Sequence, residues 1–303
     1  MSMLVVGSVA LDSVKTPFGS VKEALGGSAV YFGVAASYFT KVRLVAVIGK
    51  DFPSKYFDIF KRHDIDTSGL TRAAGKTFRW KGQYMYDLNQ AETLDTKLNV
   101  FASFSPKIPD AYKSSKYVFL GNIDPELQLQ VVKQVDSPDL IACDTMNFWI
   151  EKKPKELKKT LKHVHILVIN EGEARQLAGE TNIVKAAKCV LSFGPRALVI
   201  KRGEYGALFF SKDHIFSAPA YPLEEVFDPT GAGDSFAGGF MGYLARSGSG
   251  HPTDLRRAMI FGSVMASFNV EDFSLKKLDN LDWSHIKKRF EHFKHLTNFE
   301  MIK

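Results

Sequence analysis

Between residues 117 and 201 the chain alternates short, unbroken apolar runs with segments of helical period, and this rhythm limits its architecture more than any other feature. The runs 117–120, 140–143, 166–169 and 198–201 carry no polar alternation, as expected of strands buried on both faces. Residues 125–135, 154–163, 171–178 and 183–192 between and around them read as helices. Strand and helix in strict succession imply βαβ units, hence a mostly parallel central sheet with helices on both faces. The N-terminal part fits the same plan. Residues 4–9 and 45–49 read as further buried strands, and a helical pattern (Val30, Val34, Tyr38) follows Gly26-Gly27-Ser28. Two segments, about 11–24 and 76–100, differ: Thr77, Phe78, Trp80, Gln83, Tyr84 and Tyr86 are β-formers without helical period. They are expected to form a small β-sheet lid outside the main core. Helices near 233–246, 254–268 and 283–296 close the chain, which reads as a single α/β domain over 1–303 with the lid strands inserted.

At 303 residues and 45% hydrophobic content the chain has enough apolar material for one large core. No apolar run approaches the roughly 18 residues of a membrane span. The opening MSMLVVGSV has no basic leader, so a cytoplasmic protein without a signal peptide is expected. Cys143 and Cys189, the only cysteines, lie in apolar runs and are expected as thiols. The net charge of +7 arises partly from Lys152, Lys153, Lys155, Lys158, Lys159 and Lys162, spaced for the solvent face of a helix, so no nucleic-acid partner and no membrane partner is expected.

The chemistry concentrates in residues 228–240, DPTGAGDSFAGGF. Pro229 fixes its own φ, and Gly231 and Gly233 permit angles closed to other residues, so successive amides can converge on one point. Phe236, Phe240 and Leu244 then recur at helical spacing, which sets the turn at a helix N-terminus, where free N–H groups and the macrodipole favour phosphate. Asp234 lies in that first turn. A carboxylate beside bound phosphate is repelled unless it has a task, and accepting the proton of an attacking hydroxyl is the obvious one. The run does not fit GxGxxG, no GxxxxGK[ST] occurs, and no HRD-type catalytic loop is present.

Taken whole, 228–240 resembles the C-terminal signature of the ribokinase (PfkB-type) family of sugar and nucleoside kinases. The resemblance implies a ribokinase-like α/β fold and ATP-dependent transfer of a phosphoryl group to a hydroxymethyl-type alcohol. It implies Asp234 as general base, and an anion hole from the amides of Ala232, Gly233 and Asp234 beyond Gly231. By itself Asn170-x-x-Glu173 reads as a capping box; the resemblance adds that this pair helps to hold Mg²⁺-bound phosphates, partly through water. The run Lys201 to Ala207 reads as a hairpin turn, and the family hairpin at this place borders the nucleotide, so Lys201, Gly203 and Gly206 become candidates for ATP contact. ATP and Mg²⁺ are the implied cofactors. Asp228 and the Thr230 carbonyl are candidate ligands of K⁺, which many members use. Asp144 to Asn147 resembles a family segment less closely, with Trp149 in place of an arginine, and receives no role.

The family binds its acceptor where this chain has Asp12, Gly26 and Gly27. Tyr31 replaces the family's usual asparagine, four residues after the second glycine. The exchange removes polar readout and offers a ring, which with Phe32, Phe78, Trp80, Tyr84 and Tyr86 could stack on a base; packing of the lid sheet or of a homodimer seam is the other reading. Ser28 stands where a lysine could have paired a phosphate, although Lys76, Arg79 and Lys81 could compensate. The expected acceptor is therefore an unphosphorylated sugar first and a nucleoside second. A silent binding protein on this fold is disfavoured by the intact Asp234, and a dinucleotide oxidoreductase by Gly7-Ser8-Val9-Ala10 after the first strand.

Overall fold

The computed structural model describes residues 2–298 and 300. Its strands are β1 (Ser2–Val6), β2 (Ala10–Thr16), β3 (Gly19–Gly26), β4 (Lys41–Ile48), β5 (Ile65–Arg72), β6 (Phe78–Tyr84), β7 (Ala91–Lys97), β8 (Tyr117–Leu120), β9 (Leu140–Cys143), β10 (Ile166–Asn170), β11 (Ala197–Lys201), β12 (Ala207–Ser211) and β13 (Ile215–Ala218). Nine of them form one sheet in the order β13-β12-β11-β10-β9-β8-β1-β4-β5. Pairing is parallel from β5 through β11, and antiparallel where β12 and β13 return at the edge. The ribokinase-like architecture expected from the sequence is present. The strands β5, β12 and β13 come in addition to it; polar and exposed positions hide any continuous apolar run in β5 and β13, whereas β12 is an apolar, largely buried strand.

Successive strand residues feed opposite cores. Met3 and Val5 face one side with helices Ser28–Ser37, Ala232–Ser247 and Pro252–Asn269, whereas Leu4 and Val6 face the other with helices Pro154–Leu161, Glu171–Ala178 and Ile183–Leu191. This two-sided burial explains why the strands read as unbroken apolar runs. The sheet grows from β1 first toward β4 and later toward β8, so the order reverses between β1 and β8. Ligands of open α/β sheets collect beside such a reversal, outside the C-terminal ends of the strands.

The remaining strands form a separate small sheet, β3-β2-β6-β7, with β2 and β6 parallel and the outer pairs antiparallel. It is tied to the body by Arg79, whose guanidinium lies 2.8 Å from both Glu23 and Asp51. Arg79 is thus engaged and is not free to pair an acceptor's phosphate, contrary to the compensation the sequence suggested. Cys143 is buried and Cys189 half-buried, both as free thiols. Lys152, Lys155, Lys158, Lys159 and Lys162 are exposed as expected, while Lys153 is held by Asp124 and Glu126. Among the described residues no helix is long and apolar enough to cross a membrane.

Candidate active site

The glycine-rich turn ends in helix Ala232–Ser247, with Gly231 as its N-cap in the left-handed region at φ 77°. A side chain at Gly231 would also collide with the ring of Tyr31, whose atoms lie 2.3–2.4 Å from the Cβ position. The turn therefore needs glycine twice over, for conformation and for space. Of the first amides, Ala232 donates to the Pro229 carbonyl at 3.1 Å and Ser235 to Gly231 at 2.8 Å. The Gly233 and Asp234 amides take no partner among the described residues. The anion hole expected from three amides is thus built from two free ones, with the Ala232 amide spent on closing the turn.

Around this helix start the strand ends deliver charge. Asp144 follows β9, Glu173 lies in the first turn of the helix after β10, and Lys201 ends β11. Lys201 Nζ stands 3.6 Å from Asp144 Oδ2 and would be 2.9 Å from a Cβ at Gly233, so its ammonium borders the free amides. Burial pushes Asp234 up to about 7, reinforced by the charge of Asp144 and opposed by Lys201. Glu173 and Asp144 are raised for the same first reason. Burial pulls Lys201 the other way, but Asp144, Glu173 and Asp234 together hold it above its usual value, so it stays charged. A carboxyl that titrates near neutrality beside unpaired amides can accept a proton from an alcohol.

Asn170 and Glu173 form the full capping box: Asn170 Oδ1 accepts from the Glu173 amide and Glu173 Oε2 accepts from the Asn170 amide, each at 2.8 Å. The other oxygen of the buried Glu173 is left over, near the charges of Asp144, Asp234 and Lys201. Among the described residues no three His, Cys, Asp or Glu side chains are grouped to hold a metal by themselves, so Mg²⁺ here would have to be held mainly through water and phosphate oxygens. In the hairpin after β11 the space beside Gly203 is filled by Asn89 of the β6–β7 loop, whose Nδ2 donates to Glu204 at 3.4 Å. Gly206, at φ 87°, packs so closely on the backbone of Ala218 to Ala220 that a Cβ would lie 2.1 Å from the Ala218 carbonyl oxygen, so the hairpin itself requires that glycine.

The expected acceptor residues are brought together. Gly26 pairs with Ala10 across β2 and β3, diagonal to Asp12, and a Cβ at Gly26 would lie 1.9 Å from Asp12 Oδ2. A Cβ at Gly27, whose φ is 96°, would lie 2.5 Å from the Ser8 carbonyl oxygen, and Ser28 and Ser8 exchange hydrogen bonds that pin the helix start. Ser28 is thereby committed to structure. Burial raises Asp12 to about 7, opposed by the Gly27 amide and reinforced by Asp228 and Asp234, so the acceptor aspartate and the candidate base lie close enough for their charges to interact.

The aromatic set divides. Tyr31 is 1% exposed, and Ser274 stands beside its buried hydroxyl without closing a well-formed hydrogen bond. Its ring supports Gly231 and is not available to stack on a base, which corrects its expected role. Phe32 stacks on Phe119 in the core, Phe78 on Phe101, and Trp80 covers Gly82. Tyr86 is exposed on the β6–β7 loop. Tyr84 also reaches the loop before the glycine helix, its hydroxyl accepting from Thr230 Oγ1 at 3.4 Å; burial pushes that phenol up to about 12.

Four participants were not singled out from the sequence. Asp144 carried a usable signal, an aspartate directly after a buried strand. Tyr84 was one of six aromatics with nothing to separate it. Asn269 and Ser274 gave none, being isolated polar residues at the end of an apolar helix. Asp228, Thr230, Asn269 and Ser274 nevertheless form one cluster: Asp228 accepts from the Thr230 amide at 2.9 Å and the Ser274 amide at 3.2 Å, while Asn269 Nδ2 donates to the Thr230 carbonyl at 2.8 Å.

The pfkB family carbohydrate kinase profile matches residues 4–279. A cytidine kinase of Thermococcus kodakarensis is 30% identical over 253 residues, covering 81% of this chain and 89% of that protein. The nucleoside kinase of Methanocaldococcus jannaschii, a ribokinase-family structure, superposes with a TM-score of 0.77 at 23% identity, over 96% of this chain and 98% of that one. A putative ribokinase II from E. coli in complex with ATP and Mg²⁺ has a TM-score of 0.78 at 16% identity, over 96% and 99%. The match of the family profile across the whole site, from β1 through the glycine helix, identifies the chain as a member of the pfkB family of carbohydrate kinases and as an ATP-dependent phosphotransferase.

Proposed function

We propose that this chain is a nucleoside kinase, transferring the γ-phosphoryl group of ATP to the hydroxymethyl group of the nucleoside's sugar. The observation that carries the reaction is Asp234 in the first turn of the glycine helix, titrating near neutrality beside two unpaired amides and the Lys201 ammonium. The bond between the γ-phosphorus and its bridging oxygen breaks, a bond from the acceptor oxygen to that phosphorus forms, and the hydroxyl proton passes to Asp234; ADP leaves with its charge met by Lys201. Asp12 accepts hydrogen bonds from the sugar hydroxyls, and the Gly233 and Asp234 amides hold the oxygens of the migrating group. Glu173 and Asn170 would help to hold Mg²⁺, partly through water, and the ion would supply charge neutralisation on the phosphates. The small sheet, linked through Tyr84 to Thr230, is positioned to close over the acceptor and exclude water.

A nucleoside displaces the free sugar from first place for two reasons. The relative that is 30% identical over most of both chains is a cytidine kinase. Asp12, Gly26 and Gly27 are brought together as a ribose would need, and the β6–β7 loop carries Met85 and Tyr86 as exposed apolar side chains on which a base could stack. K⁺ would compete in this loop with donors already in place, since each Asp228 oxygen and the Thr230 carbonyl accept hydrogen bonds; no step is assigned to it. The test is kcat/KM with MgATP for cytidine, adenosine, inosine, ribose and fructose. Preference for a nucleoside by tenfold or more supports the reading, and preference for a free sugar overturns it.

A further inference from the structure

We infer that Asn269, rather than a bound alkali cation, fastens the phosphate-binding loop, and that catalysis by this chain is independent of K⁺. The inference rests on the kinase reading but concerns a residue outside the glycine-rich run. Asn269 ends helix Pro252–Asn269, which packs along the glycine helix, and it is 1% exposed. Its carboxamide is used at both ends. Nδ2 donates to the Thr230 carbonyl at 2.8 Å, and Oδ1 accepts from Ser235 Oγ at 3.1 Å. One rigid group therefore bridges the residues on either side of 231–234, the stretch that holds both free amides and the base.

The bridge has a direct chemical consequence. Asp234 is the third residue of its helix, where the amide has no carbonyl partner within the helix, and Asn269 holds the Thr230 carbonyl just before the N-cap, so the turn that presents the Gly233 and Asp234 amides is fixed in place.

The rest of the cluster closes the space from the other side. The Val270 carbonyl accepts from the Phe227 amide at 2.8 Å, and Ser274 fixes Asp228 through its amide and Leu25 through its hydroxyl, at 3.2 and 2.6 Å. An alkali ion must exchange its hydration shell for a set of protein oxygens. Here the oxygens of Asp228 and the Thr230 carbonyl already accept from N–H groups, which such an ion would have to displace or share. Asn269 is a positioning residue, acting through Thr230 and Ser235.

The test compares the parent with Asn269→Ala and Asn269→Asp in K⁺ and in tetramethylammonium, by initial rates and by the thermal shift that MgADP produces. The parent is expected to show rates equal within about twofold and equal MgADP shifts in both cations. Asn269→Ala is expected to lose kcat by about 10–100-fold, a fraction of the effect of removing an anion-hole donor outright, with acceptor KM little changed. Asn269→Asp keeps the shape and the acceptor for Ser235 but loses the donor to Thr230, and so is expected to fall similarly if Asn269→Ala does not fold. A parent rate at least fivefold higher in K⁺, or a larger MgADP shift in K⁺, overturns the inference; so does near-parental kcat in either folded variant. The MgADP shift needs no acceptor, so an error in the acceptor's identity leaves this test intact.

Discussion

The ring of Tyr31 lies directly beneath Gly231 and fills the space that a side chain at the glycine would occupy. A helix buried on all sides thus supports the turn that presents the anion hole, and the residue expected to read the acceptor instead shapes the phosphate site from below. Gly231→Ala meets both the 2.3 Å clash and the left-handed φ, and is expected to lower the thermal transition and to abolish turnover. Tyr31→Phe removes a buried hydroxyl without a well-formed hydrogen bond and is expected to change stability by less than about 1 kcal/mol, with the acceptor ranking unaltered. Thermal melts with kcat/KM on two acceptors check both; a reordered ranking in Tyr31→Phe would show that the hydroxyl reads the acceptor after all.

The raised carboxyls link the site to pH. Asp12, Glu173 and Asp234 bind protons more tightly folded than unfolded, so between the ordinary carboxylate range and about pH 7 the folded state carries more protons, and stability falls as pH rises through that window. Asp234→Asn removes one such group. Its melting temperature is expected to exceed the parent's at pH 8, with the gap narrowing toward pH 5.5, where the parent's carboxyl is already neutral. A variant less stable than the parent at pH 8 would mean that Asp234 stabilises the fold.

The same titration sets activity. Because the base must be ionised, kcat/KM of the parent is expected to decline below about pH 7, approaching tenfold per unit. A profile flat from pH 8 to 5.5 would remove a carboxylate base from the limiting step.

Lys201 holds the charge balance of the cleft. Lys201→Met leaves Asp144, Glu173 and Asp234 without their ammonium, so their protonation should extend to higher pH and the acid limb should shift upward, with KM for ATP raised by at least tenfold. An unchanged limb and an unchanged KM would place Lys201 outside the nucleotide's path.

What could be read in advance follows from how local each feature is. The parallel sheet was legible because residues such as Leu4 and Val5 serve opposite cores and so both must be apolar. The glycine turn and the capping box of Asn170 and Glu173 were legible because their bonds close within a few residues. Asn269 and Thr230 are 39 positions apart, and Tyr84 and Thr230 146 apart; only the packing of two helices and the docking of the small sheet bring them together. Tyr31 misled for a related reason. Position relative to the diglycine placed it near the acceptor, but its burial under Gly231 depends on where the C-terminal helices pack.

The most direct test of Asp234 as the base is the rate of phosphoryl transfer from MgATP to the preferred acceptor by Asp234→Asn beside the parent, with MgADP binding measured on the same samples. The account predicts a fall in kcat of about 10²–10⁴ with nucleotide binding preserved. Turnover within a few-fold of the parent, in a folded variant that binds MgADP normally, would contradict it.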